Sequence, residues 1–131
     1  MFLHDLTENQ KAAFLLLSKR LIREDERLAP EESTLLGLMR REMGFDGDPT
    51  YEKKDVGDLL IEFDSRKAKV ATLLELMGLA CSVGEYRRDQ APLIDEVAST
   101  FGIPEEELVT MENWILRQMA LAREAAGFFM E

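Results

Sequence analysis

Apolar residues recur along this chain at spacings of three and four, and no alternating stretch of four or more β-branched residues competes with that period. That period predicts helices. Thr7-Glu8-Asn9-Gln10 has the form of a capping box, a hydroxyl placed to accept from a free backbone N–H and a glutamine three residues on to return the bond. A first helix therefore starts at Thr7. It carries Ala12, Ala13, Phe14, Leu15, Leu16, Leu17, Leu21 and Ile22, an apolar face wide enough that neighbouring elements must cover most of its girth. The polar cluster Arg23-Glu24-Asp25-Glu26-Arg27 closes it. Pro30 opens a second helix, because proline in a first turn loses no hydrogen bond and its fixed φ suits the helix. Leu35, Leu36, Leu38, Met39 and Met43 follow, and Gly44 ends the helix, since a residue without Cβ takes the left-handed closing conformation cheaply.

The stretch Phe45-Asp46-Gly47-Asp48-Pro49-Thr50 reads as a loop. A short third helix is predicted from Tyr51 to Phe63, with Val56, Leu59, Leu60 and Phe63 on one side. A fourth runs from Arg66 to Val83 with Gly84 as its cap. As the most apolar stretch of the chain, it belongs at the centre. The fifth ends at Gly102, with Pro92 suited to its first turn. Pro104 opens the last, where Glu105, Glu106 and Glu107 complement the positive end of the helix dipole. The expected architecture is all-α, a compact bundle of about six to seven helices with short connections and no strands.

The chain also matches itself. With Gly44 set on Gly102, an offset of 58, Ala13, Leu15, Leu16, Leu21 and Leu35 fall on Ala71, Leu73, Leu74, Leu79 and Leu93 without a gap. Similar residues coincide as well: Leu28 with Tyr86, Leu36 with Ile94, Met39 with Val97, Met43 with Phe101, and Phe45 with Ile103. Apolar periodicity alone can slide two helix pairs into such agreement, but the added matches favour two related helix-turn-helix halves, residues 13–45 and 71–103, followed by a C-terminal helix over 104–128.

Composition narrows the picture without changing it. The 131 residues suit one domain, and 46% hydrophobic with 32% charged residues is a globular balance. Sixteen basic against 26 acidic residues leave a net charge of -10, a field that repels polyanions and makes nucleic acid and anionic membrane poor partners. The longest apolar run, Ala12 to Leu17, is far short of the roughly 20 residues a bilayer requires. Cys81 is the single cysteine, and the first ten residues lack the basic start and apolar stretch of a secretory signal, so a cytoplasmic location is expected.

The turn Asp25-Glu26-Arg27-Leu28-Ala29-Pro30-Glu31-Glu32 resembles the Asp-Gly-x-apolar-x-x-Glu-Glu pattern between the first core helices of the tellurite-resistance protein B (TerB-like) family. The resemblance extends to a second copy, Val83-Gly84-Glu85-Tyr86-Arg87-Arg88-Asp89-Gln90, and spans about Phe14 to Leu108. It implies a compact helical domain, acidic metal-binding positions in some members, and association with stress-response or chaperone assemblies rather than catalysis. On that pattern Asp25, Glu31 and Glu32 are candidate ligands for a divalent cation such as Ca²⁺ or Mg²⁺, because carboxylates of a tight turn and the next helical turn can converge on a hard ion. The pattern is degenerate here. Glu26 replaces the family glycine, and Val83 and Gln90 replace acidic residues in the second turn. The competing reading is a solvated turn whose glutamates favour the following helix N-terminus.

No other motif supplies chemistry. His4 beside Asp5 lacks any sign of a pocket or positioned partner, and Cys81 lies in an apolar run where an inert, buried thiol is expected. No phosphate loop, His/Cys metal spacing or hydrolase elbow occurs, so no catalytic residue and no required cofactor is expected. Arg66, Lys67 and Lys69 form a small basic cluster of the kind that is usually solvated. The last helix ends in Phe128-Phe129-Met130, which either folds back on the core or contacts a protein partner or a second copy, since aromatics and methionine are favoured in interface cores. A non-enzymatic interaction or scaffolding role is the leading expectation, with divalent-cation binding through residues 25–32 as its alternative.

Overall fold

The computed structural model describes residues 2–47, 54–82 and 86–130. Six α-helices lie among them: α1 (Glu8–Glu24), α2 (Glu32–Met43), α3 (Val56–Leu60), α4 (Arg66–Cys81), α5 (Pro92–Thr100) and α6 (Glu105–Gly127). Short 3₁₀ turns at Leu3–Asp5, Ala29–Glu31 and Arg88–Gln90 precede α1, α2 and α5, and no strand occurs among the described residues. The fold is all-α, as the apolar periodicity predicts.

The capping box at the start of α1 is formed in full. Gln10 N donates to Thr7 Oγ1 at 3.2 Å and Thr7 N donates to Gln10 Oε1 at 3.0 Å, so two backbone groups left over at the helix end are paired. The Gln10 amide also reaches the Glu62 carbonyl at 3.1 Å, which ties the start of α1 to the segment after α3. From there α1 buries Phe14, Leu15, Leu17, Leu21 and Ile22. Burial of such a side chain stabilises by roughly 1.5–3 kcal/mol relative to exposure.

An offset of 58 residues carries each main element of the first half close to one of the second. It places Glu8–Glu24 over α4, Glu32–Met43 over α5, and one 3₁₀ turn within a residue of the next. It also carries Thr7 onto Ser65, whose hydroxyl accepts from Ala68 N at 3.1 Å and caps α4 as Thr7 caps α1. Gly44 and Gly102 are the only positive-φ residues described, at 64° and 72°. Each ends its helix with the same long bond: Phe45 N donates to the Arg40 carbonyl at 3.0 Å and Ile103 N to the Ala98 carbonyl at 2.9 Å. A side chain at either glycine would be strained in this left-handed conformation, which is the closing geometry of a helix that stops sharply.

The helices α1 and α4 form the centre. Against α1 pack α2 and α3, against α4 pack α5 and α6, and α1 touches α4 directly. Leu73, Leu76, Met77 and Ala80 of α4 have no solvent exposure, consistent with its apolar composition on every side. Phe63 meets Phe101 edge-on with ring centroids 5.8 Å apart, joining the residues just after α3 and α5.

Three boundaries differ from the sequence expectation. The third helix is confined to Val56–Leu60, where Asp55 rather than Tyr51 begins it and Ile61, 75% exposed, leaves it; residues 51–53 lie outside the described residues. The fourth ends at Cys81 instead of Val83, because the Ser82 hydroxyl and backbone N–H both bond the Leu79 carbonyl and close the last turn; Val83 and Gly84 lie outside the described residues. Pro30 sits inside a 3₁₀ turn that leads into α2, rather than at the first position of α2 itself.

The last helix outgrows the bundle. Arg66 pairs with Glu107 where α4 and α6 begin, and Cys81 shares a groove with Met119 and Ala122 where α4 ends, so the two run side by side in one direction. In α6 only Leu108, Met111 and Ile115 are buried, while Ala120 and every described residue after it are exposed. The final turns therefore project past the end of α4 as an overhang.

Candidate functional site

The acidic turn after α1 is a structural joint. Asp25 caps the C-terminal end of α1 and is almost wholly buried. It accepts from Arg27 three times: from the backbone N–H at 3.0 Å, from Nε at 3.0 Å and from Nη2 at 2.7 Å. Those side-chain bonds hold the Asp25 carboxyl below its ordinary value despite burial, and the same contact raises Arg27. Arg27 also donates to the Ala80 carbonyl at 3.3 Å, near the end of α4. The neighbouring Glu24 accepts from Leu93 N at 3.0 Å and so caps α5. Two residues of the first turn thereby satisfy helix termini of the second half.

Of the other predicted ligands, Glu31 is exposed and Glu32 lies 3.9 Å from Arg23. Asp25, with both oxygens on Arg27, does not join Glu31 and Glu32 in a shared centre, and no group of three or more acidic, histidine or cysteine residues is placed to hold a metal ion among the described residues.

A second polar cluster closes the other half. Arg88 bridges three carboxylates: its Nη1 lies 3.1 Å from Glu112, its Nε 3.6 Å from Asp95, and its Nη2 pairs with Glu105. This ties the turn before α5 to α5 and to the start of α6. Beside it the Tyr86 hydroxyl is buried without a partner of regular hydrogen-bond geometry, yet close enough to Glu112 for each to affect the other's titration. Burial pushes Tyr86 up, with the Glu112 charge adding to it. Burial also raises Glu112 and outweighs the opposing pull of Arg88. Burial pushes the Cys81 thiol up to about 11, so it is an unactivated thiol at neutral pH.

Between this cluster and the overhang lies a groove of about 730 Å³, lined by Cys81, Ser82, Tyr86, Leu116, Met119 and Ala122 among others. The groove is mainly apolar, with Arg123 at its outer end. Beyond it stand Phe128, Phe129 and Met130, which are 84%, 86% and 79% exposed. They do not fold back on the core. The overhang carries them away from the only part of α6 that packs on the bundle, so no described surface of the chain lies under them.

A second groove, about 720 Å³, separates the N-terminal 3₁₀ turn from the first turns of α4 and is lined by Phe2, Leu6, Val70 and Leu74 with Arg66 and Lys67 at its edge. Its basic residues are paired, Lys67 with Asp5 at 3.2 Å and Arg66 with Glu107, and Lys69 stands 6.0 Å over the Phe101 ring. His4 lies on the surface 3.5 Å from Asp5, with no enclosing pocket about the pair.

Sequence reading missed the Tyr86, Arg88 and Glu112 cluster and the capping role of Ser65. Tyr86 figures there as an apolar counterpart of Leu28 and, with Arg88, as part of the second turn, and nothing local marks Glu112 as the residue that α6 turns toward Arg88. The Ser65 cap was open to detection, since the 58-residue offset sets it on Thr7. No family model matches the chain, and neither a curated protein nor a solved structure matches it.

Proposed function

We propose that the chain is a cytoplasmic, non-catalytic protein-interaction module whose contact element is the overhanging end of α6. The observation that carries this reading is the exposure of Leu121, Phe128, Phe129 and Met130 on one projecting chain end. Exposed apolar area concentrated at one place is the mark of an interaction surface, whereas isolated exposed leucines are ordinary. The net charge of -10 favours a protein over a polyanionic partner. The TerB-like resemblance of the turns suggests stress-response or chaperone assemblies as the setting. Cation binding through Asp25, Glu31 and Glu32 is the weaker alternative, because Asp25 is already engaged by Arg27.

Removal of residues 128–131 tests the proposal. The shortened chain keeps its helical circular dichroism and thermal midpoint, since Phe128, Phe129 and Met130 are exposed and take no part in the core, while its association in light scattering and pull-down weakens on the order of tenfold or more. Association unchanged by the deletion overturns the reading.

A further inference from the structure

We infer that α6 is a releasable arm, which lifts off α4 as one unit about a hinge at Gly102–Pro104, and that Arg88 is the clasp holding it down. The motion belongs to the chain alone and requires no partner, so it stands apart from the interaction reading above.

Packing is the first argument. The helix α1 buries nine of its 17 residues, whereas α6, the longest helix described, buries three of 23. Those three, Leu108, Met111 and Ile115, fall three and four apart and form a single stripe, with Trp114 and Met119 partly buried beside it. The helix on which α6 packs is α4, while α1 lies against α2, α3 and α4 together. Segments with few buried apolar contacts open locally at lower free energy than the core, and α6 is such a segment.

Attachment is the second. Ile103 N donates to the Ala98 carbonyl and pins the chain to α5, just before Pro104, which has no N–H of its own. Beyond that point no backbone hydrogen bond joins α6 to another element among the described residues. Side-chain charge ties it down instead, through Arg66 on Glu107 and Arg88 on Glu105 and Glu112. Arg66 is 68% exposed, and a pair so open to water holds little.

Charge is the third. Arg88 is 28% and Glu112 15% exposed, so their 3.1 Å contact is the least solvated of these ties. The same guanidinium also faces Asp95 of α5. Three carboxylates thus share one cation. With Arg88 in place they are bridged; without it, Asp95 of α5 faces Glu105 and Glu112 of α6, and like charges push the arm outward.

Release uncovers a matching strip of α4. Between Arg66, which meets the start of α6, and Cys81, which shares a groove with Met119, the residues Leu73 and Met77 stand on the same face at helical spacing. Neither has any solvent exposure while the arm is down. The lifted arm therefore presents Met111 and Ile115 in addition to its exposed end, and α4 presents Leu73 and Met77.

Hydrogen exchange of the full chain, followed by mass spectrometry, tests this. A detached helix of this length is only marginally helical in water, so release opens its amides. Residues 108–119 exchange at a common rate, at least about tenfold faster than residues 13–22 of α1. Arg88→Gln speeds residues 108–119 roughly tenfold further and leaves residues 13–22 unchanged. Adding Glu105→Gln and Glu112→Gln to Arg88→Gln removes the repulsion and brings the rate back to within about threefold of the natural chain's. Loss of residues 128–131 leaves these rates unchanged, whatever it does to association. The proposal is overturned if residues 108–119 exchange in step with α1, because α6 then opens only with the whole bundle. Rates that rise steadily from Leu108 toward Gly127 overturn it as well, because they mean fraying. So does an Arg88→Gln chain that is unchanged or faster in every helix alike, or a triple variant that stays as fast as Arg88→Gln.

Discussion

Asp25 and Glu112 are both partly or wholly withdrawn from water beside an arginine, yet their titrations move in opposite directions. Asp25 accepts three hydrogen bonds from Arg27, which favour its charged form. Glu112 has one ion-pair contact with Arg88, which Glu105 and Asp95 share, and its burial prevails. The linkage follows. Asp25 contributes stability above its ordinary value of 3.8, and that contribution is lost as pH falls through the lowered folded value. Asp25→Asn therefore costs about 1–3 kcal/mol at neutral pH, and its deficit shrinks in acid. Glu112 binds its proton more tightly in the folded chain, so ionising it lowers stability as pH rises from 4.5 through the raised folded value. Relative to Glu112→Gln, the natural chain loses stability over that interval and then levels off. Denaturant midpoints measured from pH 3 to 7 distinguish the two trends, and parallel profiles for both variants would contradict the assignment.

At the scale of elements, what could be read in advance was whatever depends on neighbours in sequence. The Thr7–Gln10 box and the Gly44 and Gly102 closures involve groups three to five residues apart, and all are visible as residue types in order. Arg27 bonding Ala80, or Glu24 capping Leu93, joins positions 53 and 69 residues apart, and no local pattern announces either. The TerB-like pattern of the acidic turn thus suggests a metal site, while the arginine that engages Asp25 stands at a position the pattern leaves unspecified. The short α3 was misjudged for a related reason: its apolar spacing extends past Leu60, but Phe63 enters the core from a turn rather than from a continued helix. The glycine closures make a direct prediction. Gly44→Ala loses about 1 kcal/mol because alanine resists a φ of 64°, whereas Gly37→Ala, inside α2 with open space around it, gains about 0.5–1 kcal/mol. Thermal melts of the two variants should shift in opposite directions.

For the whole molecule, acidity and the overhang act against each other. A surface at -10 holds copies apart at low ionic strength, and pairing through the exposed apolar end of α6, as the proposed function allows, would have to overcome that repulsion. Added salt screens the repulsion over a Debye length of about 8–10 Å while leaving apolar burial intact, so self-association strengthens from low salt to roughly 0.15 M. Light scattering at fixed protein concentration reads this directly. Weaker association with added salt would mean that ion pairs rather than aromatic residues hold the copies.

Glu24 and Arg27 bear on how the chain acquires its structure. Both belong to the turn that ends α1, yet the groups they satisfy, Leu93 N and the Ala80 carbonyl, are made much later in synthesis. Until those residues arrive, the buried Asp25–Arg27 pair has only half its setting, and the ends of α4 and α5 have no partner there. The first half is therefore not a finished unit that waits for the second. The likeness of the halves, down to two glycine closures, conceals a division of labour in which the earlier turn completes the later helices.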